Sequence, residues 1–302
     1  MDASAIPAPY RRLVDDAAIF PPGDAPLPEA VAAHRRHRSS AHADLVGGFV
    51  VGDARLPELL EVLRSDDAAG AAGEPLEVSV VVSGGAGAME PAVRWSASPE
   101  LRLVGLEIAL RDEADLAHNA RRVVTAADQL VASGHLEDDV PVYVEPPRLY
   151  GAEPGHTWLA ALDELAAMDL RLKLRTGGLD PDAFPGSAEL ATCIEAALDR
   201  ELAFKCTAGL HHALRHRASD TGFEHHGFLN VLLATRASLD GAGPEAVAAT
   251  LEERDAAAVR AALDEAGPDA LASARRWFTS FGSCSVHEPL EDLATLGLLP
   301  DD

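Results

Sequence analysis

Lys173 and Lys205 are the only lysines in a chain that carries twenty-three arginines, and each lies toward the end of an apolar, strand-like run. The runs continue as Lys-Leu-Arg-Thr-Gly-Gly (173–178) and Lys-Cys-Thr-Ala-Gly-Leu-His-His (205–212). A protein that takes arginine almost everywhere as its cation keeps lysine where a compact ammonium with a movable pKa serves and a guanidinium does not. Such a group forms imines with carbonyl compounds, moves protons or holds anions. Lys205 is expected to be the Schiff-base or proton-transfer lysine. Burial and the positive charge of Lys173 would make it nucleophilic, with Lys173 also holding substrate. The competing use of both lysines is a buried ion pair.

Alternate side chains of a strand share a face. Lys173 therefore sides with Arg175, and Lys205 with Thr207, while Leu172, Leu174, Phe204 and Cys206 turn the other way. Glycines follow each pair, at Gly177, Gly178 and Gly209, where the backbone can approach a ligand closely. Arg175 suits a carboxylate or phosphate. Glu145 ends the preceding apolar run and Glu107 the one before that, each placed as counter-ion or general acid/base for the lysines. His211 is the alternative proton carrier.

Five of the twelve histidines fall between positions 211 and 226. Imidazoles in such number keep a divalent metal open, with His211, His225 and Glu145 as ligands, although no diagnostic metal spacing occurs. No other cofactor is expected. Asn230, in His-Gly-Phe-Leu-Asn, joins the substrate-binding candidates. So do Gly282, Ser283 and Ser285, whose Gly-Ser-x-Ser loop would offer N–H groups and hydroxyls to an anion, unless it only caps the following helix. Cys284 lacks a catalytic partner recognisable from spacing. Asp15-Asp16-Ala-Ala-Ile-Phe-Pro-Pro is read as a packing arm that inserts Phe20 or presents Asp16 to the site.

Apolar runs of strand length must position these groups: Leu45 to Val51, Leu76 to Ser83, Leu101 to Leu110, Val140 to Glu145, Leu170 to Thr176, Leu202 to Thr207 and Trp277 to Gly282. Their near-continuous Val/Ile/Leu character implies burial on both faces, as in a parallel sheet. Helical patterns lie between them at Leu56 to Arg64, Glu113 to Ser133, Thr157 to Met168, Ser187 to Asp199 and Glu245 to Leu263, the last broken near Arg254. Repeated β-α units with polar, Gly-bounded strand ends predict an α/β fold, a TIM-like (β/α) barrel of seven or eight parallel strands. The alternative, a doubly wound sheet, lacks its Gly-x-Gly-x-x-Gly turn. The count stays open because Gly227 to Leu239 reads as strand or helix. Residues 1–44 are expected as an N-terminal extension packing on a barrel domain at 45–302, and Asp66 to Gly73 as a Gly/Ala-rich loop.

The formal net charge of −24 opposes binding to nucleic acid or anionic membranes, leaving a small anionic molecule as the expected partner. Three widely spaced cysteines form no disulfide framework or zinc knot, and no run of eighteen apolar residues or signal-like leader occurs. A cytoplasmic protein is expected, with a homo-oligomer left open.

The strings Asp-Asp-Ala-x-x-Phe-Pro-Pro, Lys-Leu-Arg-Thr-Gly-Gly, Phe-Lys-x-Thr-Ala-Gly-Leu-His-His and His-Gly-Phe-Leu-Asn resemble those of an uncharacterised family of bacterial barrel-like proteins of this length. The resemblance brings no activity with it. Lys-x-Arg on a barrel strand is also similar to the Lys-x-Lys element of the enolase superfamily, but that superfamily's capping domain and metal-carboxylate series have no counterpart. Three readings follow. One is a barrel enzyme of lyase/aldolase or isomerase type acting beside a carbonyl. The others are a metal-dependent barrel enzyme and a barrel that binds a small anion without turning it over.

Overall fold

Strand-length runs of β-branched and leucyl residues, separated by helices, leave each strand only its neighbours on either side as hydrogen-bonding partners. Closure into a ring removes the last two edges. A computed structural model describes residues 6–68, 74–111, 114–151 and 153–299 of the chain. Its strands are β1 (Val14–Asp16), β2 (Val46–Gly52), β3 (Leu76–Val82), β4 (Leu101–Ala109), β5 (Val142–Glu145), β6 (Arg171–Arg175), β7 (Phe204–Thr207), β8 (His216–Arg217), β9 (Glu224–His225) and β10 (Phe278–Ser283). Eight of them, β1 to β7 and β10, form a closed barrel in sequence order, every pair parallel, while β8 and β9 make a small antiparallel ribbon.

The helices are α1 (Leu27–Arg38), α2 (Leu56–Ala68), α3 (Met89–Ser96), α4 (Leu116–Ala132), α5 (His156–Ala166), α6 (Ser187–Leu198), α7 (Phe228–Leu239), α8 (Pro244–Glu252), α9 (Ala256–Ala274) and α10 (His287–Thr295). This is the TIM-like α/β barrel, a parallel-strand architecture consistent with the family resemblance. All seven apolar runs became barrel strands. Glu113, the expected start of α4, and residues 69–73 of the expected Gly/Ala-rich loop lie outside the described residues.

One expectation about organisation is corrected, and one open reading is decided. The described part of the expected extension, residues 6–44, is not an appendage: Val14–Asp16 is the barrel's first strand, hydrogen-bonded between β10 and β2. The segment 227–239 is helix α7, with Gly227 at its N-cap. Phe228, Leu229, Val231, Leu232 and Ala234 are all fully buried, so α7 is apolar nearly all round and lacked the one-sided pattern that marks a surface helix. The break expected near Arg254 separates α8 from α9, whose N-cap Asp255 accepts the Ala257 N–H.

Leu172, Leu174, Phe204 and Cys206 belong to the continuous buried cluster with Leu190 and Ile194 of α6, as the alternation predicted. The opposite face of the same strands carries charge. No described helix is long and apolar enough to cross a membrane.

Candidate active site

Register puts Lys173 of β6 directly opposite Lys205 of β7. Two ammonium groups on adjacent strands repel unless an anion separates them, and Glu107 of β4 is that anion. Its Oε2 lies 2.9 Å from Lys173 Nζ and its Oε1 2.6 Å from Lys205 Nζ. The pairing continues in both directions. Lys205 Nζ also donates to Asp15 Oδ2 at 2.7 Å, and Lys173 Nζ stands 3.3 Å from Glu145 Oε2. Glu145 Oε1 accepts from Arg175 Nε at 2.6 Å. The sequence Asp15, Lys205, Glu107, Lys173, Glu145, Arg175 is a line of six alternating charges that sums to zero. This balance makes its burial tolerable.

Neutral donors complete it. Ser79 Oγ donates to Glu107 Oε1 at 2.7 Å, Ser280 Oγ to Asp15 Oδ2 at 2.7 Å and the Gly48 N–H to Asp15 Oδ1 at 3.2 Å. The Tyr143 ring lies beside Lys205, 5.3 Å from Nζ to the centroid. Burial alone would raise the Glu107 carboxyl, but the two ammonium groups outweigh it and hold the group well below the usual carboxylate range. Burial likewise acts to lower Lys205, yet Asp15 and Glu107 hold it above its ordinary value. The expectation that burial and Lys173 would depress Lys205 is therefore corrected. The nearest charges to its ammonium are carboxylates.

Above this line lies a cavity of about 250 Å³ at the C-terminal ends of the strands, with Glu107, Lys173 and Lys205 in its lining. It is smaller than the ~300–1,000 Å³ usual for drug-sized ligands, so it fits a small metabolite. Arg175, Thr207, Gly178, Gly209, His211 and Gly282 contribute polar and backbone surface, and Phe20, Pro21 and Leu179 apolar surface. A larger open groove of about 710 Å³, lined by Glu90, His118, Arg121 and His135 beside α3 and α4, includes none of the six charges.

Other candidates are placed elsewhere. Gly177 packs against Gly209, where an added Cβ would come within 2.7 Å of the Gly209 Cα; the close approach is loop to loop. Gly209 itself has φ +75°, which glycine tolerates best. Ser283 Oγ accepts the Ser285 N–H and Ser285 Oγ accepts the Glu288 N–H, so this loop ties itself to the first turn of α10. Asn230 is fully buried: its Oδ1 accepts the Arg215 N–H, and its Nδ2 donates to the carbonyls of Thr250 and Glu253. It locks α7 to neighbouring chain and does not touch the cavity.

The metal set is not assembled. Glu145 is committed to Arg175 and Lys173, His225 Nδ1 meets the Gly209 carbonyl at 3.0 Å, and His211 Nδ1 donates to Glu288 Oε2 at 2.9 Å. Among the described residues, no three or more His, Cys, Asp or Glu are grouped to hold an ion. Three of the clustered histidines pack ring against ring instead. His212, His216 and His225 follow at centroid distances of 4.9 and 5.1 Å, ending on Phe184 at 4.6 Å.

Three participants were not singled out from sequence. Ser79 and Ser280 are isolated hydroxyls in apolar runs and gave no signal. Asp15 sat in a conspicuous acidic pair, but Asp16 was the member expected at the mouth. In the fold Asp16 turns away to His34 Nδ1 at 3.0 Å, and Phe20 does line the cavity. Cys284 has a partner that spacing did not reveal, His211, 3.8 Å from Sγ, though burial and the nearby Glu288 push its thiol up to about 11. Compared with family models, curated proteins and solved structures, the chain matches none.

Proposed function

We propose that this barrel is an enzyme of lyase/aldolase or isomerase type, acting on a small carbonyl compound that bears an anionic group, with Lys173 as the imine-forming amine. The observation that carries the reading is the asymmetry of the two lysines. Lys205 is clamped by carboxylates at 2.6 and 2.7 Å, whereas Lys173 has contacts of 2.9 and 3.3 Å, the longer to Glu145. Lys173 is thus the ammonium with a slack partner able to accept its proton.

The step balances. Lys173 passes one proton to Glu145, its nitrogen adds to the carbonyl carbon and the C=O electron pair moves to oxygen. Glu145 and a second proton from the nitrogen then allow that oxygen to leave as water, giving an iminium. The iminium carries the same single positive charge as the ammonium it replaces, so Glu107 and Glu145 remain paired. It withdraws electrons from the adjacent carbon, where a C–C bond breaks or a C–H proton is lost. Lys205 keeps its charge throughout and fixes Glu107. Solvent deuterium entering the position next to the carbonyl in a panel of small keto acids, followed by NMR, tests this. Exchange is expected in wild type and absent in a folded Lys173→Arg variant.

Full pairing of both lysines favours a second reading, a barrel that binds a small anion without converting it. Under that reading a keto acid raises the melting temperature with no deuterium uptake.

A further inference from the structure

Resting on the imine reading, we infer that the substrate's own anionic group switches the amine on. By docking on Arg175 it draws the guanidinium away from Glu145, which is then free to take the Lys173 proton. Arg175 is the most exposed member of the line, and it lines the cavity together with Glu107, Lys173 and Lys205. Its side chain is 39 % exposed, while the other five are 12 % or less. An entering anion therefore meets the network at this end. The guanidinium is shared already: Nε is held by Glu145, Nη1 reaches only the Gly177 carbonyl at 3.4 Å, and Nη2 makes no hydrogen bond among the described residues.

Thr207, the register partner of Arg175, lines the same cavity, and its hydroxyl likewise has no protein partner among the described residues. Arginine and threonine side by side form a docking pair for a carboxylate or phosphate. The hollow on the other side of Arg175 carries three carboxylates, Asp180, Asp182 and Glu145, and one further cation, Arg148, which Glu189 already holds, so the side with two lysines is the more attractive one for an anion. With Arg175 on Glu145, both carboxylate oxygens serve cations and neither is free to take the Lys173 proton. An uncharged aldehyde then finds no free amine, which is the selectivity this arrangement provides.

The test supplies the two halves of a substrate separately. Propanal and cyanoborohydride are incubated with the protein, with and without inorganic phosphate or acetate at matched ionic strength. Reduced adduct on Lys173 is quantified by peptide mass spectrometry. The expected result is acceleration by the anion on the order of tenfold or more, the scale on which one charge-assisted hydrogen bond counts. In Arg175→Ala, or Arg175→Gln should alanine disturb the fold, adduct formation should be fast without anion and indifferent to it. Adduct on Lys173 that forms equally with and without anion in wild type overturns the inference and leaves the imine reading intact. No adduct on Lys173, with propanal or with glyoxylate, removes the imine reading and the inference with it.

Discussion

Lys173 and Lys205 face each other across β6 and β7 with the two oxygens of Glu107 divided between them, one to each ammonium. Among the described residues, Glu107 is the only group with an ion pair to both. Replacing it with glutamine leaves two buried cations on adjacent strands sharing a neutral amide. Removing one partner of a buried ion pair costs about 3–5 kcal/mol, so Glu107→Gln should lose stability on that scale. Chemical denaturation measures it, and a loss within experimental error would mean that the lysines find other compensation.

Acid should destabilise the protein in two stages. His226 is fully buried, with Nε2 2.9 Å from the Pro185 carbonyl; burial and then the Arg215 guanidinium push it down to about 4 from 6.5. The unfolded chain takes up this proton near 6.5 and the folded chain only near 4, so stability falls as pH drops between those values, by about 3 kcal/mol in all. Glu107 adds a second loss. Its folded carboxyl lies below the ordinary 4.5, so its contribution is present above that pH and fades as pH falls beneath it. Lys205, raised above 10.5, contributes fully below that value and loses its contribution as pH rises through the folded pKa. Melting curves against pH should show His226→Gln flattening the slope between pH 6.5 and 4 while the loss below 4.5 persists.

Asn230 separates structural from chemical roles. With three hydrogen bonds to backbone groups, two of them across to the α8 end, its truncation leaves buried partners unsatisfied. Asn230→Ala should cost roughly 2–3 kcal/mol and leave carbonyl trapping unchanged once the variant is folded. A stable variant that no longer reacts would return Asn230 to the site.

The barrel was legible because seven of its strands are continuous apolar runs, and the site because the two lysines stand out against twenty-three arginines. What stayed hidden was whatever needed three dimensions. Strand β1 is three residues, Val14-Asp15-Asp16, two of them acidic, and reads as a loop until Lys205 supplies a counter-ion for Asp15. The division of labour between the lysines was also unreadable. It depends on which carboxylates converge from β1, β4 and β5, and no spacing along the chain encodes that. Asn230, in a segment that read as strand or helix, and the Ser283 and Ser285 hydroxyls, in a plausible loop, were polar groups that bond to backbone in the fold.

Imine formation at Lys173 is read out most directly by borohydride trapping with a panel of small keto acids and phosphorylated aldehydes, followed by peptide mapping. With only two lysines in the chain, each adduct has a clear address. A reduced adduct is expected on Lys173 in wild type, retained in Lys205→Arg and lost in Lys173→Arg, with all three proteins folded. An adduct confined to Lys205, or none on either lysine with any member of the panel, contradicts it.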